Sequence, residues 1–408
     1  FIKLKNGNYA MRSTKSLLRT EDVLKALTQV NVSAFLDKWG PEKIIQVYDP
    51  ETPMQGILVI DNTVLGPGKG GIILSPTLTP LMVFKLARTM TWKCTLAEIP
   101  FGGAMSGIRA NPYEIDKIKY IKAFAQKIAP FIPLRYIAGP DLHVGEKEIA
   151  AFVETIGDLQ GATGKPEKLG GIPHEVGITG FGLGIALETG LKILHDSLHL
   201  PNSVSETKIA IQGFNTLGLG VARYLNAKKS TIVAINDYWG TIYQPEGIDI
   251  RKAEKFSYAT SERQSIKNYR AGSILDRDDI FNVDCDIFVT CAECDLINRD
   301  TYKQIKAKYI VEGANNCITA EAEKKLFERG AIILPDFLAS AGGVIGSYAE
   351  YRKMDVASAF SLIETKIKKN TQFVIEKALD ADLVPRKVAI EIAQQRILDA
   401  LEEKSRRS

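Results

Sequence analysis

Residues 208–218 read Lys208-Ile209-Ala210-Ile211-Gln212-Gly213-Phe214-Asn215-Thr216-Leu217-Gly218. A short apolar run stops at a glycine, and a helical pattern follows to about Ala227. The same rhythm returns at Thr231–Asn236, Asp286–Thr290, Tyr309–Val311 and Ala331–Leu334. Continuous apolar strands alternating with helices predict a parallel sheet covered on both faces. Right-handed crossovers then make it a doubly wound α/β fold.

The turn itself carries a second message. Gly213 and Gly218 occupy the first and third glycine positions of a G-x-G-x-x-G fingerprint, and Asn215 stands at the second. The first glycine makes the tight turn and the third lets helix and strand pack closely. The second normally lets a pyrophosphate approach the backbone, and an Asn side chain takes up room there. Asp237 ends the next strand, where a carboxylate would grip a ribose 2′-hydroxyl. Its neighbours Tyr238-Trp239-Gly240 bring no Arg or Lys for a 2′-phosphate, which favours NAD, with NADP as the other option. A plain strand–turn–helix with a chance Asp is the alternative.

Outward from this region, Ile44–Tyr48 and Ile57–Ile60 read as strands. Thr79-Pro80 opens a long helix, with Thr as N-cap and Pro at the first helical position. Tyr113–Ala129 and Gly145–Leu159 read as two more helices, and the chain is helical from about Ala349, with a break at Pro385. The expected organisation is a substrate and oligomerisation domain over 1–178, a dinucleotide domain over 179–345, and helices over 346–408 that return to the first domain and leave a cleft between two lobes.

Composition limits the function classes. The 408 residues hold 52 Lys+Arg against 48 Asp+Glu, a net charge of +4, which gives no case for a nucleic-acid partner. At 45% hydrophobic and 25% charged the chain matches globular averages. No apolar run reaches the ~18–20 residues of a membrane helix, and Phe1–Gly7 has no basic patch before an apolar core, so a cytoplasmic location is expected. Five cysteines do not make a disulfide framework, and Cys291-Ala-Glu-Cys294 lacks the second pair of a structural zinc site. No metal is expected. Of the histidines His143, His174, His195 and His199, the last two read as a solvated helix end.

Three residues suggest chemistry. Gly66-Pro67-Gly68-Lys69-Gly70-Gly71 reads as a flexible turn presenting Lys69, and the long helix carries Lys93. Two cations aimed into one cleft would hold a dicarboxylate by its ends; ordinary surface lysines are the other reading. Asp141, in Gly139-Pro140-Asp141, could shuttle protons or merely cap the next helix.

In order along the chain, Gly66–Gly71, Met90–Leu96, Pro100–Ala104, Gly139–Asp141, Gly164-Lys165-Pro166 with Gly170-Gly171, Thr179-Gly180, Glu312–Asn315 and Ala341–Val344 resemble the glutamate/leucine/phenylalanine/valine dehydrogenase family. The resemblance implies oxidative deamination of L-glutamate to 2-oxoglutarate and ammonia. It implies that Lys69 with Ser347 holds the side-chain carboxylate, that Lys93 holds the α-carboxylate, and that Asp141 moves protons. It assigns coenzyme contacts to Thr179, Gly213, Phe214, Asn215, Thr216, Leu217, Gly218, Asp237 and Asn315, and it implies a homo-hexamer built through the first domain. One departure is central. The family's Gly-Gly-Ala-Lys is here Gly102-Gly103-Ala104-Met105. Methionine lacks the ionisable group of the catalytic lysine, so activity is expected to be much reduced. Asn215, Ile73 in place of the usual Arg, and the Thr290–Asp295 loop depart too. A catalytically inactive relative, acting as a regulatory or binding subunit, is the competing expectation.

Overall fold

The computed structural model describes residues 2–3, 9–10, 36–172, 177–257, 259–292 and 294–407, the first two pairs as backbone only. Most of the N-terminal stretch read above, and His174, lie outside the described residues. The chain divides into two compact units, Phe1–Thr91 with Phe101–Leu169, and Trp92–Pro100 with Gly170–Ser408.

In the first unit, β1 (Ile2–Lys3) and β2 (Tyr9–Ala10) form an antiparallel pair. The main sheet uses β3 (Lys43–Asp49), β4 (Met54–Asn62), β5 (Gly68–Lys69), β6 (Ile72–Leu74), β7 (Gly102–Ile108) and β8 (Tyr136–Ile137). Their order is β3-β4-β7-β5-β8, with β6 also on β7. Central strand β7 escaped the sequence reading because it is Gly-Gly-Ala-Met-Ser-Gly-Ile. Its glycines serve close approach: a Cβ at Gly102 would stand 1.9 Å from Asn62 O, and one at Gly103 2.1 Å from Thr91 Oγ1. Side chains alternate along the strand. Ala104 and Ile108 join a core with Phe124 and Phe152, from α2 (Lys117–Ile128) and α3 (Glu146–Ile156). Met105 faces the other way, among Val59, Leu78, Val83 and Phe84. The last two belong to α1 (Pro80–Leu96), whose first turn is capped as read, Thr79 Oγ1 accepting from Met82 N at 3.2 Å.

The second unit is the doubly wound domain. Strands β9 (Lys208–Gln212), β10 (Thr231–Asn236), β13 (Ile287–Thr290), β14 (Tyr309–Glu312) and β15 (Ile332–Leu334) are parallel. β11 (Thr241–Tyr243) and β12 (Ser273–Leu275) extend the sheet antiparallel, in the order β12-β11-β10-β9-β13-β14-β15. These three-residue strands carry too little pattern to be read from sequence. Around the sheet stand α4 (Ile178–Leu198), α5 (Thr216–Ala227), α6 (Ile250–Ala253), α7 (Ala320–Glu328), α8 (Asp336–Ala339), α9 (Gly342–Tyr351), α10 (Val356–Ala381) and α11 (Pro385–Arg407). Gly180 lets α4 and α5 touch: a Cβ there would be 2.5 Å from Gly220 Cα. The C-terminal helices, expected to return to the first domain, are part of this second unit, α10 packing on α4 and α11 on β15. From the N-terminal half they meet Glu98, which pairs with Lys369 and Arg396, and that segment is itself in the second unit.

Candidate active site

The first unit gathers Lys69, Asp141 and Met105. Lys69 is not on a flexible turn: it ends β5, paired with Gly103 on one side and Ile137 on the other. The side chain is buried and Nζ donates to Ala138 O at 2.8 Å. A Cβ at Gly139 would stand 2.5 Å from that Nζ, so the glycine makes room for the ammonium. Two residues on, Asp141 is exposed, with Leu142 N donating to its Oδ1 at 2.7 Å. The capping role for Asp141 is excluded, because Gly145 is the N-cap of α3 and Glu148 accepts from Gly145 N at 2.8 Å.

Gly71 joins the group together. A Cβ on it would lie 2.6 Å from Asp141 Cβ, and its N–H donates to Met105 Sδ at 3.3 Å. Met105 is 2% exposed and Ile73, the other departure from the family pattern, lies in the same apolar cluster. Tyr136, which the sequence reading missed, fixes the glycines. Its hydroxyl lies 3.1 Å from the carbonyls of Gly70 and Gly71 and 2.9 Å from Ser106 Oγ. Burial, with the Asp141 charge adding to it, pushes this hydroxyl far above its ordinary pKa, so it stays a neutral donor.

The Gly213–Gly218 loop, Asp237 and Asn315 of the second unit follow the C-terminal ends of its parallel strands, the edge where such folds bind ligands. Gly213 N donates to Asn236 Oδ1 at 2.7 Å, and Gly213 has φ +95°, which a glycine accommodates. Phe214 and Gly218 are buried, and Thr216 is the first residue of α5. Asn215 caps that helix: its Oδ1 accepts from Leu217 N at 3.0 Å and Gly218 N at 3.1 Å, while its Nδ2 donates to Cys291 O at 2.7 Å. The side chain thus holds two N–H groups of the kind that receive a phosphate. Asp237 accepts from Trp239 N, Gly240 N, Ser265 Oγ and Ile266 N, all within 3.2 Å. Sequence also missed a cation here. Arg277 lies over the Tyr238 ring at 5.3 Å, its backbone carbonyl held by Asn236 and Thr241.

Lys93 belongs to this second unit. Its buried Nζ donates to Asn315 Oδ1 at 2.7 Å and Ser340 Oγ at 2.9 Å. Asn315 follows β14, and its carbonyl accepts from Cys294 Sγ at 3.3 Å. Cys291 is buried and Cys294 exposed. Among the described residues no group of three His, Cys, Asp or Glu side chains could hold a metal, and no helix is long and apolar enough to cross a membrane. Thr179, in the first turn of α4, lies against Gly343, where an added Cβ would be 3.0 Å from Thr179 Oγ1. Ser347 is half-buried one turn further along α9.

Comparison with known proteins bears on both units. Residues 170–405 match the model of the Glutamate/Leucine/Phenylalanine/Valine dehydrogenase family, and residues 41–158 match that of the Glu/Leu/Phe/Val dehydrogenase dimerisation domain. The chain is 32% identical to the NADP-specific glutamate dehydrogenase of Saccharolobus shibatae over 93% of its own length and 91% of that protein. It is 32% identical to the glutamate dehydrogenase of Aeropyrum pernix over 83% and 84% of the two chains. The same fold is seen in the hetero-hexameric glutamate dehydrogenase of Thermus thermophilus, at a TM-score of 0.78 and 24% identity over 93% and 94% of the chains. L-Tryptophan dehydrogenase of Nostoc punctiforme shares it at a TM-score of 0.67 and 21% identity, over 91% and 99%.

Proposed function

The chain belongs to the Glu/Leu/Phe/Val dehydrogenase family, and from this we propose that it binds L-glutamate and 2-oxoglutarate and carries out NAD(P)-dependent oxidative deamination, at a rate much lowered by Met105. The observation that carries the reading is the arrangement around Gly71 and Gly139, where a fixed lysine and an exposed carboxylate survive beside a position that has lost its ionisable group.

Each residue has a task in this chemistry. Lys69, with Ser347, holds the side-chain carboxylate of glutamate, and Lys93 holds its α-carboxylate. Asp141 takes a proton from the α-ammonium, because the nitrogen must offer its lone pair before the Cα–H bond can break. A nicotinamide dinucleotide, held by Thr179, the Gly213–Gly218 loop, Asp237 and Asn315, supplies the hydride acceptor. Hydrolysis of the resulting imine needs a group that activates water and steadies the developing oxyanion, and the Met105 thioether can do neither. Asp237 spends its carboxylate on neighbouring N–H and O–H groups while Arg277 stands beside Tyr238, which supports acceptance of NADP as well as NAD.

Exchange of Met105→Lys tests the reading. Glutamate-dependent formation of reduced coenzyme rises by at least ~100-fold, the usual scale for one general acid or base. A folded variant with no gain overturns it.

A second reading is supported by Met105 and Ile73 sharing one apolar cluster, as expected if the charged chemistry was lost from that face altogether. In that form the chain is a binding or regulatory subunit, in a hexamer of its own copies or with an active relative, in the cytoplasm. Calorimetry separates the two: dicarboxylate binding without turnover in the Met105→Lys variant favours the subunit, and absence of dicarboxylate binding removes both.

A further inference from the structure

We propose that Arg386, in the first turn of α11, is a positioning residue that sets the Gly313–Cys317 loop and, through it, the Asn315–Lys93 pair. The proposal rests on the reading above for what the pair binds, but its structural part stands alone.

The loop is gripped by two buried carboxylates. Glu312, at the end of β14, accepts from Ile318 N at 3.1 Å, and Asp336, at the start of α8, accepts from Asn316 N at 2.9 Å. The two are tied to each other, Asp336 N donating to Glu312 Oε2 at 3.3 Å. Asp336 also reaches the other side of Lys93, since its carbonyl accepts from Ser340 Oγ at 2.8 Å and that same oxygen accepts from Lys93 Nζ. Among the described residues both carboxyl groups, fully buried, pair with one guanidinium. Arg386 Nη1 binds Asp336 Oδ1 at 2.9 Å, Nη2 binds Glu312 Oε2, and Nε binds Glu323 at 2.8 Å.

Three carboxylates face a single Arg386, with Lys93 the next cation acting on Asp336. A buried carboxylate without a partner must take up a proton or move towards water. Movement towards water breaks its acceptance from Asn316 or Ile318, a proton on the carboxyl weakens it, and either response lets the loop shift. Arg386 lies far from the loop in sequence, yet it holds both clamps of a loop that carries a ligand contact. It touches none of the expected ligands itself, so its effect on binding passes through the loop.

The experiment compares Arg386→Lys and Arg386→Gln with the native chain in two measurements. Hydrogen–deuterium exchange on the full chain reads the loop directly. Amides of 313–318 exchange at least ten-fold faster in Arg386→Gln and less so in Arg386→Lys, while β9 and β13 keep native protection. Calorimetry with 2-oxoglutarate reads the consequence: Kd rises at least ten-fold in Arg386→Gln, and Arg386→Lys restores most of it. Native exchange over 313–318 in Arg386→Gln overturns the proposal, as does uniform loss of protection across the second unit. If Arg386→Gln does not fold, Arg386→Lys decides by the same exchange criterion. If the native chain binds no 2-oxoglutarate, the functional reading fails while the exchange result still decides the role of Arg386.

Discussion

Lys69 and Gly139 work as one unit, and the glycine is the more informative to change. Replacing Lys69 removes a charge, so any loss of affinity has several explanations. Gly139→Ala keeps every charge but places a Cβ 2.5 Å from the present Nζ position, and the atom that must yield is the far end of a flexible side chain. The fold should tolerate it, since φ at Gly139 is not in the left-handed region. The ammonium then moves, and the grip on a carboxylate proposed for Lys69 weakens. A charge-assisted hydrogen bond contributes about 1.5–3 kcal/mol, so Gly139→Ala raises the Kd for 2-oxoglutarate roughly 10- to 100-fold. Binding of a 2-oxo acid with an apolar side chain, such as 2-oxoisocaproate, changes less than three-fold. Calorimetry with the two ligands checks it, and equal losses for both refute the assignment of Lys69 to the side-chain end.

At the scale of the element, α5 presents a second such case. Asn215 both starts the helix and fills it, with Leu217 N and Gly218 N donating to its Oδ1. Asn215→Gly costs the cap only a few tenths of a kcal/mol and frees both N–H groups for a pyrophosphate. Affinity for reduced coenzyme should rise about ten-fold, or ~1.4 kcal/mol, in a fluorescence titration, and unchanged or weaker binding counts against a dinucleotide at this turn. The strand–turn–helix around Asn215 was legible because apolar run, glycine and helix pattern agree within a dozen residues. Strand β7 was not, since its glycines report close packing that only the folded neighbours reveal. Lys69 was likewise read as part of a turn because Gly-Pro-Gly precedes it, although pairing on two sides makes it a strand. Arg277 shows the same limit for the coenzyme end, because the turn after Asp237 holds no cation of its own and a distant segment brings one to Tyr238. Arg277→Ala should therefore lower kcat/KM for NADPH at least ten-fold and for NADH less than three-fold, measured in the Met105→Lys background; equal effects would remove the link to the 2′-phosphate.

For the molecule as a whole, the chain's alternating strands and helices declared the second unit, while its polar interior stayed hidden, since Glu312, Asp336 and Arg386 meet across dozens of residues. That interior gives stability a pH dependence. Burial pushes the Glu312 carboxyl up to about 8 against the pull of Arg386, with Asp336 and Glu323 adding to the rise. Its ordinary value is 4.5. Between these values the folded chain holds a proton that the unfolded chain has lost, so stability falls as pH rises, by up to about 1.4 kcal/mol per pH unit for one such group. The loss ends once pH passes the folded value. Burial also raises Glu323, which adds a slope of the same sign. Burial lowers His143, with Lys117 contributing, and this gives an opposite slope near its ordinary 6.5. The comparison must therefore be made against a variant that removes Glu312 alone. Gln cannot ionise, so Glu312→Gln shifts stability by an offset set by its altered hydrogen bonds and removes the Glu312 slope at every pH. Urea unfolding midpoints of the native chain should fall relative to Glu312→Gln from pH 5.5 to 8 and run parallel above about 9. Parallel curves throughout would mean that Glu312 is a carboxylate in the folded chain over the whole range, with Arg386 outweighing its burial.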